Sequence, residues 1–164
     1  MSTSNRPARV IAAGLAASLI LMMLIGSVAA ATPQQVEIVS HMNFNPDGPN
    51  FGNFAASGAA VESGLVCASG SVVDTGILFG GFQSGRSAQI LVRKTFTCAD
   101  GSGTFFVKIQ VHLDFETATE TFTWVVQGGT GDYANLHGSG TGTTVSDGSD
   151  PQTGNFNTYT GGLH

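Results

Sequence analysis

Charge is scarce in this chain. Only 10% of its 164 residues are Asp, Glu, Lys or Arg, against a usual quarter or so. A coiled coil needs charged flanks and few glycines, so that class is excluded. Basic residues number six, and no stretch concentrates them. Nucleic-acid binding through phosphate neutralisation is therefore not expected. The two cysteines, Cys67 and Cys98, have no CxxC neighbour. Zinc and thioredoxin-type readings fail on that spacing. GxSxG and HExxH are missing, which removes the common hydrolase and metalloprotease signatures. No cofactor is implied, and no metal site is expected.

Glycine is abundant instead. The chain holds 23, about twice the usual share of roughly 7%. They follow no period of three, so a collagen-like repeat is excluded. An apolar share of 41% is too high for a charge-driven disordered chain.

The first 31 residues read as a leader. Arg6 and Arg9 precede Val10 to Ile25, which is broken only by Gly14 and Ser18. Ala29-Ala30-Ala31 then fits a signal-peptidase site. The alternative is an uncleaved membrane anchor. Val10 to Ile25 would rise about 24 Å as a helix, short of a roughly 30 Å hydrocarbon core, although extension to Ala31 would span it. The expectation is export with cleavage after Ala31, leaving residues 32–164 as a single domain. That domain carries four basic and eleven acidic side chains, a net charge of −7. In an exported chain an even cysteine count favours a disulfide between Cys67 and Cys98; two buried thiols are the alternative.

The domain reads as strands and turns, with no convincing amphipathic helix. From Thr104 to Phe115 the odd positions are apolar (Phe105, Val107, Ile109, Val111, Leu113, Phe115), and the even ones include Lys108, Gln110, His112 and Asp114. Period two over twelve residues places one face in a core and one in water. Ser87 to Cys98 and Thr119 to Gln127 match it with apolar even faces. Pairing Ala99 with Thr104 and Phe115 with Glu120 makes two rows wholly apolar: Val92–Val111–Trp124 and Ile90–Leu113–Phe122.

Shorter strands are expected at Val36 to Phe44, Phe51 to Ser57, Gly64 to Ala68, Ser71 to Gly76, Gly138 to Val145 and Asn155 to Leu163. Phe79 to Gly85 reads as a glycine-rich connection, and Ser146 to Gly154 as a loop. Eight to nine hairpin-linked strands suit an all-β, eight-stranded antiparallel up-and-down barrel, which leaves no free edge. A two-sheet β-sandwich is the alternative.

Two motifs carry little chemistry. Gly129-Thr130-Gly131-Asp132-Tyr133-Ala134 fits GxGxxG/A, but no helix has room to follow it. His112 and Asp114 share a strand face, yet that face is the polar outer one. The other histidines, His41, His137 and His164, are scattered.

The run from Trp124 through Gly128-Gly129-Thr130-Gly131-Asp132-Tyr133 to Gly140 resembles the strand, GGTG turn and glycine-rich strand of dirigent and allene oxide cyclase proteins. The Ser-Gly-Leu-Val-Cys-Ala-Ser-Gly block at 63–70 and the Phe-Thr-Cys-Ala-Asp-Gly-Ser-Gly block at 96–103 resemble small exported bacterial proteins of unknown function. The first resemblance, confined mainly to 119–163, implies an eight-stranded barrel with an apolar cavity, often trimeric in the plant members. The polar active-site residues of that family do not map onto this chain. Physically, the glycines let the chain reverse at the barrel end, where Tyr133 and Leu136 can plug it.

The leading functional expectation is a small apolar or aromatic ligand held inside the barrel. Val92, Ile109, Val111, Leu113, Phe122 and Trp124 would line the site. An isomerase or cyclase is the second reading, and a non-catalytic surface or structural protein, working through its outer face or as a homo-oligomer, the third. Two charges interrupt the apolar faces. Glu120 is expected at a rim. Lys94 either runs its stem along apolar surface to an exposed amine or serves as a cavity cation for a ligand anion or carbonyl.

Overall fold

The structure, a computed structural model, describes residues 32–83, 85–148 and 153–164. The leader lies outside the described residues, as does part of the loop expected from Ser146 to Gly154. Among the described residues no helix is long and apolar enough to cross a membrane.

Eight antiparallel strands close into one barrel in simple sequential order. They are β1 (Gln34–Asn43), β2 (Phe51–Ser57), β3 (Ser69–Gln83), β4 (Ser87–Cys98), β5 (Gly103–Asp114), β6 (Thr119–Gly131), β7 (His137–Ser146) and β8 (Gly154–Leu163), with one helical turn, α1 (Ala59–Glu62), between β2 and β3. The barrel, not the sandwich, is the fold. Closure comes from β1 pairing with β8, from Gln34 opposite Leu163 to Asn43 opposite Gly154.

The alternation read from the sequence assigns the faces of β4, β5 and β6 as observed, but the register differs by one row. Phe96 faces Phe105, Val92 faces Ile109 and Ala88 faces Leu113. Across the next hairpin Ile109 faces Trp124, Val111 faces Phe122 and Leu113 faces Glu120. The apolar rows are thus Val92–Ile109–Trp124 and Ile90–Val111–Phe122. Turn chemistry causes the shift. Asp100 Oδ1 accepts the Ser102 amide at 2.9 Å, so the reversal is complete by Ser102. Asp114 Oδ1 accepts the amides of Glu116 and Thr117 at 2.8 and 3.1 Å, which starts that turn one residue early. A shift of this kind leaves every side chain on its own face.

The flanks depart further. Gly64 to Ala68 is not a strand; the turns that follow α1 occupy that stretch. Ser71 to Gly76 is part of a 15-residue strand that absorbs most of the expected connection at 79–85. β3 bulges between Asp74 and Gly76. The extra residue moves the inward face from even to odd positions, so Ile77 and Phe79 pair with the inward-facing Val92 and Ile90. The GGTG segment is not a turn either, since β6 continues through Gly131 and the reversal follows it.

One end of the barrel is filled. Val66, Tyr133, Leu136 and Leu163 are buried there, and the Cys67–Cys98 disulfide joins the segment after α1 to the end of β4. Above them Phe96 and Phe105 stack at 4.8 Å, with Phe54 edge-on to both. The inner face of β7 supplies glycines (Gly138, Gly140 and Gly142) rather than bulk, and Gly161 of β8 lies opposite Gly140. A Cβ on Gly140 or Gly161 would lie 2.8 or 2.6 Å from the Trp124 indole. Those glycines make the space in which the ring lies, and its Nε1 donates to the Thr141 carbonyl at 3.1 Å.

Candidate functional site

The other end is open. Among the described residues it is framed by the β1–β2 and β5–β6 connections and by the adjoining ends of β3, β4, β7 and β8, and it contains a cavity of about 290 Å³. Ligand pockets run from about 300 Å³ upward, so this one suits a small molecule. Ile77, Ile90, Val92, Ile109 and Val111 form apolar walls, and Phe44, Phe79 and Phe122 add rings. Phe79 is 74% exposed. It stands on the lip because β2 pairs with β3 only as far as Val73, beyond which β3 continues beside β4 alone.

The floor is polar. Lys94 and Asp74 are directly opposite on β4 and β3, and Lys94 Nζ donates to Asp74 Oδ1 at 2.6 Å. The second carboxylate oxygen accepts from Asn50 Nδ2 at 3.0 Å. Burying such a pair costs desolvation, which close contact and extra hydrogen bonds offset. Asn157 closes the floor from β8. Its Oδ1 accepts from Thr144 at 2.9 Å, and its Nδ2 donates to Asn155 Oδ1 at 2.9 Å and to Ser40 Oγ at 3.5 Å. Beneath lies Tyr159, edge-on to Phe96 and Trp124 and tilted against Phe122. Burial pushes its hydroxyl well above the ordinary value near 10, with Ser40 acting in the opposite direction.

Of the residues singled out from sequence, Val92, Lys94, Ile109, Val111 and Phe122 line this cavity. Trp124 and Leu113 do not. Trp124 is 2% exposed and fills the core below the floor, a consequence of the glycines opposite it. Leu113 sits a row nearer the rim, between Ala88 and Glu120. The Lys94 amine is neither exposed nor uncompensated, because Asp74 holds it. Asp74 shares its parity with Val72, so its inward direction was available in the sequence. Ile77 and Phe79 were not available, since nothing in their spacing announces the bulge. Glu120 is half-buried and lines the cavity near its mouth.

Among the described residues no group of three or more His, Cys, Asp or Glu side chains is placed to hold a metal ion. His112 is exposed on the outer face, and Asp114 is committed to its turn. No protein-family model, curated protein or solved structure matches the chain.

Proposed function

We propose that this protein is an exported barrel that binds a small, largely apolar or aromatic molecule through its open end. The observation that carries the reading is the apolar cavity of about 290 Å³ above a floor of buried polar groups. Such a site offers the area that drives binding and a few directed groups that orient the ligand. Lys94 has three N–H donors, of which Asp74 takes one, so a ligand carbonyl or hydroxyl has donors to meet.

Trp124 is walled off from the cavity and is a poor contact reporter. Phe79→Trp places an indole on the lip instead. Titration of that variant with small aromatic and aliphatic compounds should change its emission, and Ile90→Trp should block binding by filling the cavity. A flat response across the panel, repeated by calorimetry on the wild type, would end the binding reading. Export is tested by N-terminal sequencing of the secreted chain; a start at Met1 or Ser2 would exclude cleavage.

A second reading, isomerisation or cyclisation of the bound molecule, draws on the buried Lys94–Asp74 pair. It requires a bound compound to be converted and Lys94→Met to stop the conversion.

A further inference from the structure

We infer that the cavity selects a cationic amphiphile, an amine on an apolar body, and discriminates against carboxylates. This rests on the binding reading above and specifies the ligand class.

Three ionisable side chains line the cavity, namely Lys94, Asp74 and Glu120. Lys94 and Asp74 neutralise each other at 2.6 Å. Glu120 has no ion-pair or hydrogen-bonding partner among the described residues. The uncompensated charge facing the ligand is therefore negative, the reverse of what a lone lysine on an apolar strand face suggests. Glu120 lies two residues from Phe122 on the same inward face of β6, and both line the cavity. A carboxylate beside an aromatic ring favours an ammonium through ion pairing and cation–π attraction.

The rim acts in the same direction. The open-end connections and strand ends hold the carboxylates of Asp47, Asp114 and Glu116, whereas Arg86 is the one Lys or Arg among their described residues. Arg86 is itself paired with Glu116 at 3.3 Å. A mouth of one sign raises the local concentration of opposite charge and repels like charge. The remaining dimension is apolar. An amine held at the mouth by Glu120 directs its hydrocarbon or aromatic body inward, between Val92, Ile109 and Val111.

The test compares three probes of one shape by calorimetry on the full-length exported protein: phenylpropylamine, phenylpropanol and phenylpropionate. The amine should bind about tenfold tighter than the alcohol, the scale of one charge-assisted contact. Phenylpropionate should bind weakest. Glu120→Gln should bring the amine down to the alcohol's affinity. Glu37→Gln, on the exposed outer face of β1 and away from the mouth, should preserve the amine-to-alcohol ratio.

Equal affinity for amine and alcohol on the wild type would overturn this inference and leave the binding reading standing. Tightest binding of phenylpropionate would overturn it in favour of Lys94 as the recognising charge. Loss of the ratio in Glu37→Gln would show a diffuse effect of net charge and remove Glu120 from its assigned role. Failure of all three probes, together with the silent panel described above, would remove the binding reading itself.

Discussion

Lys94 and Asp74 face each other across the β3–β4 ladder, with side chains 7% and 6% exposed and their charged atoms 2.6 Å apart. Each is the other's reason for being tolerated inside the barrel. An unpaired buried charge is far more costly than a paired one, while an apolar pair of similar volume avoids the desolvation altogether.

Lys94→Met alone should therefore lower stability by about 3–5 kcal/mol, and the double variant Lys94→Met, Asp74→Leu should recover most of that loss. Urea denaturation of the two variants and the wild type checks it. A single variant costing under about 1 kcal/mol would show that water reaches the pair.

The Cys67–Cys98 bridge closes a loop across a sequence separation of 31. Loop-closure entropy assigns such a link about 3–4 kcal/mol. Replacing both cysteines with alanine should lower the stability by that amount and loosen the segment after α1 first, because the bridge ties it to β4. Hydrogen exchange at Leu65 and Val66 reads the second effect. Their amides donate to the Ala60 carbonyl at 2.9 and 3.2 Å.

Gly140→Ala should lower stability by about 1–3 kcal/mol, the usual range for overpacking. Its Cβ would lie 2.8 Å from the Trp124 ring and closer still to the Thr160 carbonyl. Neither the strand backbone nor a fully packed indole can move aside freely. Trp124 is the only tryptophan, so intrinsic emission should shift to the red in the variant. An unchanged spectrum and an unchanged urea midpoint would show that the ring has room.

The amides of Thr117 and Glu116, donating to its side chain, hold the Asp114 carboxyl below the ordinary value of 3.8. A carboxyl whose folded pKa is lowered contributes stability that is present above its unfolded value and lost as pH falls through the folded one. The β5–β6 turn should therefore keep its amide shifts on acidification until below pH 3.8. An NMR titration of Asp114 with a midpoint at or above that value would contradict the turn geometry.

What was legible in the sequence follows from one physical fact. A strand alternates its side chains with period two, so apolar alternation reports faces without reference to any neighbour. Val92, Ile109, Val111 and Phe122 could be placed in the interior on that ground. The same fact hides register, because sliding a strand pair by two positions leaves every face unchanged. The decision passed to Asp100 and Asp114, whose side chains set where each turn begins. The bulge after Asp74 was equally hidden. It reverses the alternation midway along β3 and carries Ile77 and Phe79 to the cavity.

The sequence by itself determined a mostly β domain and the inward faces of β4, β5 and β6. Its cysteine pair and scarce charge also set which chemistries were excluded. Strand alternation and composition are local properties, and they need no partner to be read. Only the tertiary structure decided that the barrel is filled at one end and open at the other, that Trp124 is core rather than lining, and that Lys94 is neutralised. Each of these depends on which atoms lie across the barrel from one another. Gly140 and Gly161 opposite Trp124, and Asp74 opposite Lys94, are relationships made by closure of the sheet.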